Sequence, residues 1–135
     1  MADLPPYKPG QEVTEGLIYR RIPNRGTYYD YDLEMVDVSA FILRPRDRGS
    51  LSALLNREEA RASLKIPVHK GFGLCVLDVA KMKAETSGQA RVEFAPTPGA
   101  FGASHVSILG CQDEEVRVIL ALIAEIDVEP ERPVA

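Results

Sequence analysis

No stretch of this chain is long and apolar enough to cross a bilayer. The longest apolar run, Val118 to Ala124, is seven residues, against the ~20 that a spanning helix needs. The opening Met-Ala-Asp-Leu-Pro-Pro has neither a basic n-region nor an apolar h-region. No secretory signal is therefore expected, and the expected compartment is the cytoplasm. Cysteine is scarce: Cys75 and Cys111 stand 36 residues apart, with no histidine at ligand spacing. A structural zinc site takes four N or S ligands, and two Cys with two His (His69, His105) match no zinc module in spacing. Two buried thiols are expected, with no disulfide, no metal and no cofactor. GxGxxG, P-loop, HExxH and GxSxG motifs are all missing, as are internal repeats and low-complexity segments. Gly71-Phe72-Gly73 precedes a strand instead of joining strand to helix, so it lacks the context for a pyrophosphate. Basic residues are outnumbered, 16 against 20, for a net charge of −4, which argues against general nucleic-acid affinity.

What is there describes one globular domain. The 135 residues are 45% hydrophobic and 27% charged, enough to bury a core and too ordinary for wholesale disorder. Acidity gathers at the end: residues 101–135 hold two basic and seven acidic side chains. Proline and glycine mark 1–16 as an arm and proline marks 128–135 as a tail, so the folded body is expected over 17–127.

Within it, Leu17 to Ile22 reads as a strand stopped by Pro23. Alternation sets Leu17, Tyr19 and Arg21 on one face and Ile18, Arg20 and Ile22 on the other. Val38–Leu43 is a further strand candidate, and Leu51–Leu55 is a strand or a helix start. Asn56 with Glu59 predicts a helix N-terminus, the helix ending before Pro67. The continuous run Leu74–Leu77 predicts a central strand, and Asp78 caps a short helix over Val79–Glu85. Ala90–Phe94 and Ser104–Gly110 alternate as strands, His105 sharing a face with Ser107 and Leu109. A last helix is predicted from Asp113 to Ile126, lying over Leu74–Leu77, with Ile119 and Ile123 at the centre of its buried stripe. Val118 and Leu122 make the rest of its circumference apolar, which fits either a deep core position or an interface with a second molecule. The sum is α+β: a mixed or antiparallel sheet of about five strands with two or three helices, the last one C-terminal.

Few residues stand out for chemistry. Arg20 and Arg21 put a guanidinium on each face of one strand, and a buried guanidinium requires a partner. The choice is an internal carboxylate such as Asp37 or an anionic ligand. His105 follows a Gly-rich loop and can serve as acid or base, or rest on a backbone carbonyl. His69 reads as a surface residue of a polar loop. Arg44, Arg46 and Arg48 surround turn residues and read as a solvated loop, or as a phosphate or carboxylate clasp. Asp30 and Asp32 alone would hold a divalent cation weakly.

Four segments occur in a familiar order: Tyr19-Arg20-Arg21-Ile22, Ser39-Ala40-Phe41, Gly71-Phe72-Gly73-Leu74, and His105 to Gly110 after Pro98. With Leu51-Ser52 between them, this order resembles a group of small uncharacterised bacterial proteins over about residues 17–110. Ile42 and Ala100-Phe101-Gly102 depart from the group's more polar pattern. The resemblance implies a bacterial source and a compact α+β fold, and implies no activity.

Three functions are thus expected in turn. The first is a non-enzymatic binding module that works through a protein partner or as a homo-oligomer, with Leu122 and Val118 at the interface. The second is a small enzyme or ligand-binding domain for an anionic substrate, a nucleotide or nucleic-acid end. In it Arg20 or Arg21 would hold the phosphate, His105 would move protons, and Ser52 or Tyr28 would assist. The third, a toxin–antitoxin or anti-phage accessory protein, follows only from the resemblance.

Overall fold

Alternating β-formers make the first long strand, and everything else is arranged about it. The structure is a computed structural model that describes residues 6–133, without the side chain of Arg46. The outermost residues of the expected arm and tail, and the side chain of the middle arginine of the 44–48 cluster, lie outside what is described.

In chain order the elements are β1 (Glu12–Val13), β2 (Leu17–Ile22), β3 (Tyr29–Asp30), β4 (Met35–Val36), and 3-10 turns at Val38–Phe41 and Pro45–Asp47. Then come β5 (Leu51–Leu54), α1 (Arg57–Ser63), a 3-10 turn at Pro67–His69, β6 (Gly73–Asp78), α2 (Val79–Glu85), β7 (Arg91–Phe94), β8 (His105–Leu109), α3 (Glu114–Ile123) and β9 (Glu125–Val128). The expected caps operate. The Asn56 side chain accepts from the Glu59 N–H at 2.9 Å and that of Asp78 from Lys81 at 3.1 Å. A third cap, not among those expected, is Asp113, which accepts from Glu115 at 2.8 Å at the start of α3. Each satisfies a helix N–H that has no partner within its own helix. The expected strand at Val38–Leu43 is instead a 3-10 turn, because Asp37 accepts from Ser39 and folds the chain back on itself.

Seven strands form one antiparallel sheet in the order β1-β7-β8-β5-β2-β6-β9, and β3 and β4 form a separate hairpin. The fold is α+β, a single domain, with the last helix near its C-terminal end. Of the two strands beyond the expected five, β1 lies in the expected arm and β9 covers the end of the expected last helix and the junction with the expected tail. Val13 of β1 is fully buried beside Val92, a two-residue pairing too short to leave a periodic signature. The last helix stops at Ile123, three residues before the expected Ile126. Ala124 turns extended, with φ −64° and ψ 134°, and Glu125–Val128 then pairs along β6. Asp127 of β9 is held by Arg57 at 2.7 Å and Arg61 at 3.1 Å, which ties the strand to α1. Gly73 is required where β9 leaves, since a Cβ there would meet the Val128 carbonyl and Pro130.

Leu74–Leu77 is not central. β6 is second from one edge, and β5 is the middle strand. Its unbroken apolar run reflects cover on both faces. Cys75 and Leu77 join the main core with Ile18, Ile22, Val106 and Ile108. Leu74 faces the other way, onto Tyr19, Leu54 and Ala60. The main core lies under α2, α3 and the Val38–Phe41 turn, whose Phe41 is fully buried.

The buried stripe of α3 is rotated from its expected place. Val116, Leu120 and Ala121 are buried, whereas Ile119 and Ile123 are only half-buried. Val118 is 38% and Leu122 65% exposed. A helix of ten residues with apolar side chains almost all round can seat any of several stripes. The neighbours choose among them. Among the described residues no helix is long and apolar enough to cross a membrane.

Candidate functional site: an arginine- and histidine-lined cleft

The second face of the sheet is only partly covered. α1 and Leu64 shield Tyr19, Leu54 and Leu74, and beside them the surface falls into a cleft of about 480 Å³. The cleft opens where two neighbouring strands part. β2 and β5 share one rung, Tyr19 with Leu54, while β2 pairs with β6 along its whole length. Alternation sends Arg20 and Arg21 to opposite faces, yet both line this cleft, as they can at a break in the sheet.

Arg20 takes the place of the missing ladder. Its Nη1 donates to the Ser52 carbonyl at 2.8 Å, and Nε and Nη2 both donate to the Ala40 carbonyl at 3.1 Å. Burial pushes the guanidinium below its ordinary value, with Cys75, Cys111 and Asp47 acting the other way. It remains charged, as arginine does in proteins. Arg21 donates from Nη1 to Ser63 Oγ at 3.0 Å, and burial lowers it too. Neither arginine takes the carboxylate partner expected of Asp37, whose side chain is spent on Ser39. Both are held by neutral acceptors, and neither makes a salt bridge among the described residues.

The histidines are anchored in the same manner. Nδ1 of His105 bonds the Ala95 carbonyl and Nδ1 of His69 the Ser63 carbonyl, each at 2.7 Å. A carbonyl oxygen only accepts, so Nδ1 is the protonated nitrogen of each ring and Nε2 is the free one. β8 brings His105 onto the row Tyr19–Leu54–His105. Ser104 fixes the chain just before it, donating to Glu59 at 2.8 Å and accepting from the Asn56 N–H. Ser52 and Tyr28, expected as helpers, line the same cleft, as do Tyr19 and Phe72.

Three basic residues that the sequence did not single out for a shared site complete it: His69, Arg25 and Arg44. Arg44 belongs to the Arg-Pro-Arg cluster. Composition says that such a loop is solvated, and nothing in it says which loop faces which cleft. The cleft thus gathers four arginines and both histidines of the chain against a single carboxylate, Asp47. Asp47 lies 4.0 Å from Arg44 Nε.

The other expected groups lie elsewhere. Cys75 and Cys111 are free and fully buried, and burial pushes their thiols up to about 12 and about 11. Asp30 folds its own turn, accepting from the Asp32 and Leu33 N–H groups at 2.9 Å. Among the described residues no cluster of three or more His, Cys, Asp or Glu is placed to hold a metal. Val118 and Leu122 sit on α3, under the opposite face of the sheet. No protein-family model, curated protein or solved structure matches the chain.

Proposed function

We propose that the chain is a small-molecule-binding protein whose cleft takes a phosphorylated ligand of nucleotide size. One observation carries this reading: Arg20 and Arg21 are fixed in the cleft by carbonyls and a hydroxyl, and neither makes a salt bridge among the described residues. A fixed guanidinium with spare N–H groups matches phosphate geometry and is rarely left without an anion. The concentration of positive charge in one cleft of a chain with net charge −4 supports the same reading. So does the volume, which lies within the range of small-ligand sites. Tyr28 and Phe72 line the cleft, and aromatic rings are what a base stacks on. The order of motifs in the sequence adds a bacterial source.

Thermal unfolding in inorganic phosphate, AMP and ATP, against chloride at equal ionic strength, tests the reading. A ligand at a hundred times its Kd should add about 2.7 kcal/mol and raise Tm by several degrees. Equal Tm in all of these at millimolar concentration would defeat it.

A second reading has its own observation. Leu122 and Val118, one helical turn apart on α3, are exposed apolar residues. They support an interaction surface for a protein partner or a second copy of the chain. Leu122→Glu should then dissociate an oligomer and leave a folded monomer, and a monomer already present at tens of micromolar would remove the homo-oligomer.

A further inference from the structure

We infer that the cleft hydrolyses a small phosphodiester, with His69 and His105 as its general acid and general base. The inference rests on the anion reading above and adds a reaction to it. Its starting point is the shared anchoring of the two rings. In both, Nδ1–H is committed to a backbone carbonyl at 2.7 Å, so proton exchange is confined to Nε2. The rings come from different elements, the Pro67–His69 turn and β8, and line one cleft. Two imidazoles with Nδ1 committed and Nε2 left for exchange, in a cleft that four arginines also line, meet the needs of a reaction with two proton transfers.

Ser63 links this pair to the phosphate site. Its carbonyl accepts from His69, its Oγ accepts from Arg21, and its own hydroxyl donates to Ala60 at 2.6 Å. One fully buried residue therefore fixes an imidazole and a guanidinium relative to each other. Such preorganised donors are effective where charge develops on phosphoryl oxygens. The other charged or titratable groups lining the cleft with the two rings are Arg20, Arg25, Arg44, Asp47, Tyr19 and Tyr28. Net negative charge over the chain disfavours a polymer, and about 480 Å³ accommodates a single nucleotide.

In the reaction a water oxygen bonds to phosphorus and its proton passes to Nε2 of the neutral imidazole. The phosphorus–oxygen ester bond breaks, and the departing oxygen takes the Nε2 proton of the protonated imidazole. Diester and water become monoester and alcohol. The two rings exchange protonation states and reset through solvent.

The test incubates the full chain with 2′,3′-cyclic AMP and with bis(4-nitrophenyl) phosphate, and measures phosphate binding in parallel. The expected result is turnover to the monoester with a bell-shaped pH profile of kcat/KM. His69→Asn and His105→Asn should each lower kcat by about a hundredfold or more while phosphate affinity changes only a few-fold. Asparagine keeps an N–H for the carbonyl and removes Nε2. If phosphate binds and neither diester is cleaved, the hydrolytic inference falls and the binding reading stands. If nothing binds and nothing is cleaved, both fall. Turnover untouched by either substitution overturns the assignment. Should a variant fail to fold, the wild-type profile decides, since a rate without two opposing limbs contradicts an acid–base pair.

Discussion

Replacing Arg20 by methionine should loosen the sheet at its weakest seam. β2 and β5 share a single rung, and the guanidinium adds one hydrogen bond to the Ser52 carbonyl of β5 and two to the Ala40 carbonyl of the Val38–Phe41 turn. Methionine keeps much of the aliphatic stem and removes every donor. Each carbonyl left short of a partner costs about 1–3 kcal/mol. Relief from burying a charge, and water entering through the cleft, offset part of that sum. A net loss of about 2–4 kcal/mol is expected, a large share of the 5–15 kcal/mol that holds a typical domain together. The assay is urea unfolding, with the midpoint falling and the slope unchanged. Arg25→Met is the control, because Arg25 is exposed on the same cleft and its loss should cost within about 0.5 kcal/mol. If Arg20→Met were no less stable than Arg25→Met, the guanidinium would not be tying β2 to β5 and to the Val38–Phe41 turn, and the seam would be held by something else.

Other substitutions probe the remaining elements. Leu120→Ala should cost about 2–5 kcal/mol and Ile119→Ala clearly less, because only Leu120 is fully buried; equal losses by chemical denaturation would contradict the observed rotation of α3. Burial tends to raise the Asp127 carboxyl, but hydrogen bonds and charge from Arg57 and Arg61 outweigh it and hold the group below its ordinary value. A lowered folded-state pKa adds stability above the unfolded value, near pH 4, that disappears as pH falls through the folded value. Asp127→Asn should therefore lose stability at neutral pH and show a shallower acid decline than the parent, and parallel acid curves would refute this. With thiols pushed up to about 12 and about 11 inside the core, native Cys75 and Cys111 should resist a disulfide-exchange reagent at pH 8 and react only on unfolding.

Local signals carried well into the structure. The caps at Asn56 and Asp78, and the alternation of Ala90–Phe94 and Ser104–Gly110, depend on neighbours within a few residues. What failed depends on distant ones. Two-residue β1 exists only because β7 offers it an edge, and β9 interrupts a helical pattern because β6 does. The rotation of α3 was illegible for a similar reason, its apolar circumference being nearly complete. Arg20, Arg21, Ser52, Tyr28 and His105 could each be singled out from strand logic or composition. That they meet in one cleft depends on where β2 and β5 part, a property of the assembled sheet. His69 escaped because a polar loop looks alike whether it faces bulk water or a cleft.

The chain's two histidines make the central claim directly measurable. Two-dimensional NMR of the imidazoles should show two ring systems, and titration with inorganic phosphate should move both, saturably. The shifts should weaken in Arg21→Gln while the fold persists. Two ring systems indifferent to phosphate, to AMP and to ATP would contradict an anion-binding cleft built around them.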